Sequence, residues 1–255
     1  MITAGVDLAS QARATAACVI EWSGQEATVV EVATGVGDDR ITALVGDVDK
    51  LGIDVPLGWP TAFVEAVSGH TRDGSWPGSY VHAEDTSALR YRRTDLWLWD
   101  LLKSPPLSVS TDRIALPAMR AASLLARMPD RAPLDGSGVV VEAYPAGALR
   151  RWGFPSRNYK RPENAAARRE LLGRLLAETA GWLRVGAPEV ERCRASDDAL
   201  DAVVAALIAR AAAVGLVEEI PPAERDAARR EGWVAVPHAD SLGRLAGPRQ
   251  QLRHT

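Results

Sequence analysis

Residues 2–8 read Ile-Thr-Ala-Gly-Val-Asp-Leu, a short apolar run that closes on an acid. Two further β-rich runs follow at 14–22 and 27–33, parted by a turn at Ser23-Gly24-Gln25. Short stretches of β-branched and apolar residues bounded by turn residues predict a three-stranded antiparallel meander. Beyond it, Ile41, Leu44, Val45 and Val48 recur at helical spacing across 38–50. Leu51 to Val55 is another short strand, stopped by Pro56.

Residues 60–135 are rich in Gly, Pro and Trp and read as an elaborated region with one helical stretch near 113–128. Gly138 to Glu142 is a buried-strand candidate, and long helices are expected at about 163–184 and 197–214, the second capped by Ser196. Gly-Trp-Val-Ala-Val-Pro at 232–237 reads as a last extended segment. The resulting order, β-β-β-α-β-α-β-α, predicts an α/β fold in which an antiparallel meander is extended by parallel strands with crossover helices. We expect one domain over 1–237 and a polar, arginine-containing tail over 238–255 that lacks fixed structure in part.

The composition is that of an ordinary globular chain: 255 residues, 47% hydrophobic and 25% charged. Aromatics are only 5%, so aliphatic side chains must fill the core. A net charge of -3 excludes a global basic field, so any contact with nucleic acid must use a local patch. Cys18 and Cys193 form no C-x-x-C pair and read as reduced thiols, which fits a cytoplasmic protein. No signal peptide and no membrane span are expected.

Ligands of such sheets sit beyond the carboxyl ends of the parallel strands, which turns strand-end acids into site candidates. Asp7, Asp54 and Glu142 each interrupt an apolar run at such an end. Asp198 and Asp201 lie three apart on the last long helix and share a face, with Asp197 as a rival. Gathered carboxylates repel one another, and a divalent cation compensates. Hard oxygen ligands select Mg²⁺ or Mn²⁺ over zinc. Two such ions about 3.5–4 Å apart can activate a water and stabilise the leaving oxygen in phosphodiester cleavage. Each acid also has a plain alternative. Asp54 could cap a turn, Asp197 and Asp198 could favour a helix N-terminus, and Glu142 could pair with Arg150.

Six short motifs resemble one bacterial and archaeal family. They are Gly-Val-Asp-Leu-Ala at 5–9, Ile-Asp-Val-Pro-Leu-Gly at 53–58, Leu-Arg-Tyr-Arg-Arg-Thr-Asp at 89–95 and Val-Glu-Ala-Tyr-Pro-Ala at 141–146. Asp-Asp-Ala-Leu-Asp-Ala at 197–202 and Glu-Gly-Trp-Val at 231–234 complete the set. The family is domain of unknown function 429, described as predicted RNase H-like nucleases, and the likeness spans about 2–237. It implies an RNase H-like fold with a central mixed sheet and helices on both faces. In that fold the first strand supplies an acid, matching Asp7, and a later strand a second, for which Asp54 and Glu142 compete. A C-terminal helix supplies the last acids, as in Holliday-junction resolvases of the RuvC type, matching Asp198 and Asp201.

Arg90, Arg92 and Arg93 with Tyr91 form the densest basic-aromatic cluster, able to bind phosphates and stack on a base. Lys160 follows the Glu142 strand and could reach a scissile phosphate. Trp59 is a candidate wall of the site. The histidines His70, His82, His238 and His254 show no metal spacing, and no nucleophile elbow, P-loop or dinucleotide turn is present. The leading expectation is a metal-dependent nuclease acting on DNA or RNA through Asp7, Asp54, Glu142, Asp198 and Asp201. The alternatives are a non-catalytic module binding nucleic acid or protein, and an ATP-binding phosphotransferase like actin or the sugar kinases. The last lacks the glycine-rich turn after Asp7, where Ala9-Ser10-Gln11 stands instead.

Overall fold

The computed structural model describes residues 1–80, 82, 86–128 and 133–247. His254 and the end of the expected tail, 248–255, lie outside them. The meander forms as its sequence requires: β1 (Ile2–Asp7), β2 (Ala16–Ser23) and β3 (Glu26–Thr34) pair antiparallel in turn. Helix α1 (Asp38–Asp47) then carries the chain to β4 (Lys50–Asp54), which lies parallel to β1 with Gly5 beside Gly52 and Asp7 beside Asp54.

The helix expected near 113–128 forms as α5 (Ala115–Ala126), and the described residues before it, read as irregular, hold three more helices, α2 (Thr61–Asp73), α3 (Ser87–Arg90) and α4 (Arg93–Leu102). The Gly and Pro residues of this stretch stand largely at helix ends, where they punctuate short helices rather than forbid them. Strand β5 (Val140–Ala143) adds parallel to β4. Helices α6 (Pro145–Arg151) and α7 (Ala165–Thr179) follow. The three-residue β6 (Leu183–Val185) joins the far edge beside β3, and α8 (Ala187–Ala195), α9 (Asp197–Ala213) and α10 (Arg225–Glu231) complete the chain. The sheet order is β5-β4-β1-β2-β3-β6. This six-stranded mixed sheet flanked by helices is consistent with an RNase H-like arrangement.

The sheet separates two apolar layers. On one face Ile20, Leu149 and Leu171 pack with the buried side of α9; on the other Val6, Ile53 and Val140 pack with α1 and α5. Helix α9 comes close to β1 and β4 because Gly5 and Gly52 place no side chain under it. A Cβ at Gly5 would stand 2.1 Å from the Ala202 carbonyl oxygen, and one at Gly52 would stand 2.5 Å from that of Ala205. Alanines dominate the matching side of α9, so backbone meets backbone at close range.

The segment at 232–237 makes isolated bridges rather than a strand: Val234 pairs with Glu142 of β5, and Pro237 pairs with Val217 after α9. The chain does not leave the body at 237. Leu242, Leu245 and Ala246 are buried in the same apolar layer as α9, and Arg210 Nε donates to the Leu245 carbonyl at 2.9 Å. Three apolar residues set within a polar stretch outweigh its average character. No helix among the described residues is long and apolar enough to cross a membrane.

Candidate functional site

The register of the parallel strands builds the site. Asp7 and Asp54 are paired neighbours on β1 and β4, two residues beyond Gly5 and Gly52. A strand has a side-chain period of two, so both carboxylates point to the α9 face. Asp201 stands four residues before Ala205 on α9 and therefore shares the side of the helix that rests on those glycines. One oxygen from each of Asp7, Asp54 and Asp201 lies within 4.8 Å of the other two. Asp201 is fully buried, while the other two are partly open.

The same arithmetic removes Glu142 from the set. It is in register with Ile53, one residue short of Asp54, and so faces the other way. There Arg92 holds it with two 2.7 Å hydrogen bonds, Nη1 to Oε2 and Nη2 to Oε1, and the Leu57 amide donates to Oε2 at 3.0 Å. Arg92 also grips both oxygens of Asp95. Arg92 is thus only 2% exposed and is spent on carboxylates of its own chain, which corrects its expected role toward phosphate. Glu142 does pair with an arginine, but with one fifty residues back in sequence rather than with Arg150.

The other basic candidates stand apart from the carboxylates. Arg93 is paired with Glu224 at 2.5 Å. Arg90 lies over the Tyr91 ring at 5.0 Å, and Tyr91 meets Trp99 edge-on. None of these three lines the cleft above the carboxylates, and Trp59 lines a different cavity beside α2. Asp198 is half-buried at the start of α9. It is close enough for its charge to act on Asp7, yet outside the group of three oxygens. Asp197 turns away, accepting from the Arg161 amide at 3.3 Å and facing Arg168 at 3.6 Å.

Lys160 stands at the carboxylate cluster itself. Its ammonium sits 2.6 Å from Asp201 Oδ2, with about half of the side chain still exposed. Tyr159, which sequence reasoning did not single out for this role, donates its hydroxyl to Asp201 Oδ1 at 2.7 Å. The loop that presents this pair is strained. Asn158 has φ 59°, and Arg161 has φ 73° and ψ 155°, a region almost reserved for glycine. Arg168 holds the loop in place. It is buried and donates to the carbonyls of Tyr159, Arg161 and Ala195.

The electrostatics are those of crowded carboxylates. Burial, then the charges of Asp54 and Asp201, push Asp7 well above the usual carboxylate range. Burial likewise raises Asp54 to about 7, with Lys160 pulling down and Asp201 and Glu142 pushing up. Burial works against the Lys160 ammonium, but Asp201, Asp54 and Asp7 outweigh it and keep it protonated. The Asp201 carboxylate is thus contacted at both oxygens, by the Tyr159 hydroxyl at Oδ1 and by the Lys160 ammonium at Oδ2. A set of three hard oxygens with excess negative charge fits a divalent cation such as Mg²⁺ or Mn²⁺.

The model of the family described as "Protein of unknown function (DUF429)" matches residues 5–227. The chain belongs to the DUF429 family. Within the DUF429 match lie all three clustered aspartates together with Tyr159, Lys160, Arg92 and Glu142; the Glu-Gly-Trp-Val motif at 231–234 lies beyond it. No curated protein and no solved structure matches the chain.

Proposed function

We propose that this DUF429 chain is a divalent-metal-dependent phosphodiesterase acting on nucleic acid. One observation carries the reading: Asp7, Asp54 and Asp201, brought from three elements, converge at the carboxyl ends of β1 and β4, where Asp7 and Asp54 line a cleft of about 390 Å³. A divalent ion, Mg²⁺ or Mn²⁺, held by these carboxylates would supply Lewis-acid polarisation of a phosphate and lower the pKa of a water.

The chain's own residues do the rest. Tyr159 fixes the rotation of the Asp201 carboxylate by binding Oδ1, with Oδ2 beside the Lys160 ammonium. Lys160 offsets part of the negative charge and stands beside the cleft, where its half-exposed ammonium can attract a phosphate. Asp198 adds negative charge at the rim of the cluster.

The test is cleavage of single-stranded and duplex DNA and RNA with Mn²⁺. EDTA should abolish cleavage, and Asp7→Asn should reduce it by orders of magnitude with an unchanged circular dichroism spectrum. Cleavage that survives Asp7→Asn refutes the reading. The Lys160 ammonium, already 2.6 Å from Asp201, favours a second reading in which it is the permanent counter-ion of a non-catalytic binding module. Under that reading, calorimetric titration with Mn²⁺ gives no heat that depends on Asp7.

A further inference from the structure

The cleft above the carboxylates is lined by two unlike kinds of side chain. Asp7, Asp54 and Lys160, with the Arg92–Glu142–Asp95 group, supply charge; Leu98, Leu107, Ile114 and Pro117, from α4, α5 and the segment between them, supply apolar surface. Its volume of about 390 Å³ falls at the small end of the range that encloses a single small molecule, about 300–1,000 Å³. A duplex keeps its bases stacked inside and offers phosphates outside. A cleft lined by apolar as well as charged side chains therefore suits a base that has left the stack.

The charge of the cleft points the same way. Arg113 lines it, is exposed, and makes no hydrogen bond or ion pair among the described residues. The other arginine there, Arg92, is committed to Glu142 and Asp95. Leu107, an apolar side chain left 47% exposed, lines the same cleft. With a net charge of -3, the chain offers no broad basic track for a long helix.

We propose that the cleft takes one unstacked nucleotide, with its base against Leu107, Ile114 and Pro117 and its phosphate reached by Arg113. The proposal rests on the phosphodiesterase reading for the class of substrate and adds that single-stranded nucleic acid or a free nucleotide, not duplex, occupies the site.

The experiment measures equilibrium binding to the full chain in MnCl₂ by fluorescence anisotropy. The probe is a labelled phosphorothioate decanucleotide, either single-stranded or annealed to its complement. The single strand is expected to bind about tenfold tighter than the duplex or more. Arg113→Ala and Leu107→Asp, both at exposed positions, should each weaken single-strand binding by about tenfold, as loss of a charge-assisted contact predicts. Equal affinity for duplex, or wild-type affinity in either variant, overturns the proposal. Competition by thymidine 5′-monophosphate at the affinity of the strand identifies a free nucleotide as the source of the unit, and absence of competition identifies a strand. A parallel calorimetric titration of wild type with Mn²⁺ separates the two readings. A flat titration beside an intact single-strand preference overturns the phosphodiesterase reading and leaves the cleft assignment standing.

Discussion

Asp54 shows how far one residue's chemistry is set by its surroundings. An isolated aspartate releases its proton near 3.8; burial against Asp201 and Glu142 moves this one to about 7. In that interval the folded chain holds more protons than the unfolded chain, so the stability of the metal-free protein falls as pH rises from about 4 to about 7. Asp54→Asn removes the buried charge. Its melting temperature in EDTA should exceed that of wild type at pH 8, and the difference should shrink toward pH 5. A difference independent of pH would show that Asp54 does not carry the strain. Metal affinity has the opposite slope: protons compete for the same oxygens, so Mn²⁺ binding by wild type should strengthen as pH rises through about 7.

Elements are placed by what their surfaces lack. Helix α9 reaches the strands because Gly5 and Gly52 leave bare backbone under Ala202 and Ala205. Gly5→Ala puts a methyl group where backbone atoms already stand, so something larger than a side chain must move. The expected loss is about 3 kcal/mol in urea unfolding, the upper part of the range for overpacked cores. The three aspartates should part as α9 lifts, so Mn²⁺ affinity should fall as well. Stability and affinity both at wild-type level would mean that α9 does not depend on this contact. The edge strand β6 shows the converse. Helices α2 and α4 have clear amphipathic faces, whereas three residues are too few for β6 to carry a pattern of its own, and pairing with β3 settles its conformation.

Across the whole molecule, Arg92 joins parts that are distant in the chain. Its guanidinium ties the start of α4 to Glu142 on β5, and its Nη1 also donates to the Glu231 carbonyl of α10 at 3.3 Å. Glu231 in turn accepts from the Thr61 amide of α2 and the Arg93 amide of α4. Helices α2 and α4 are thereby fastened to the edge of the sheet that bears the cleft. Arg92→Leu leaves Glu142 and Asp95 buried without their partner and should cost about 3–5 kcal/mol. The double variant Arg92→Leu with Glu142→Leu should recover part of that loss, because a buried ion pair replaced as a unit is far less costly than one broken. Urea denaturation of the four proteins in this cycle measures the coupling, and purely additive losses would refute it.

The sequence by itself determined the strands β1 to β5, the long helices α7 and α9 with the Ser196 cap, and the aspartates that end β1 and β4. Period-two and period-3.6 patterns, turn residues and caps are local properties, written in neighbouring positions. Only the tertiary structure decided which acids meet. Glu142 and Asp54 look alike in sequence, each an acid at the end of an apolar run. One residue of register sends them to opposite faces of the sheet, and Arg92, remote in the chain, claims the first. In the same way nothing in the sequence joins Tyr159 and Lys160 to Asp201; the strained loop at 158–161 brings both to its carboxylate. Contacts between positions far apart in sequence depend on register and packing, and no local pattern records them.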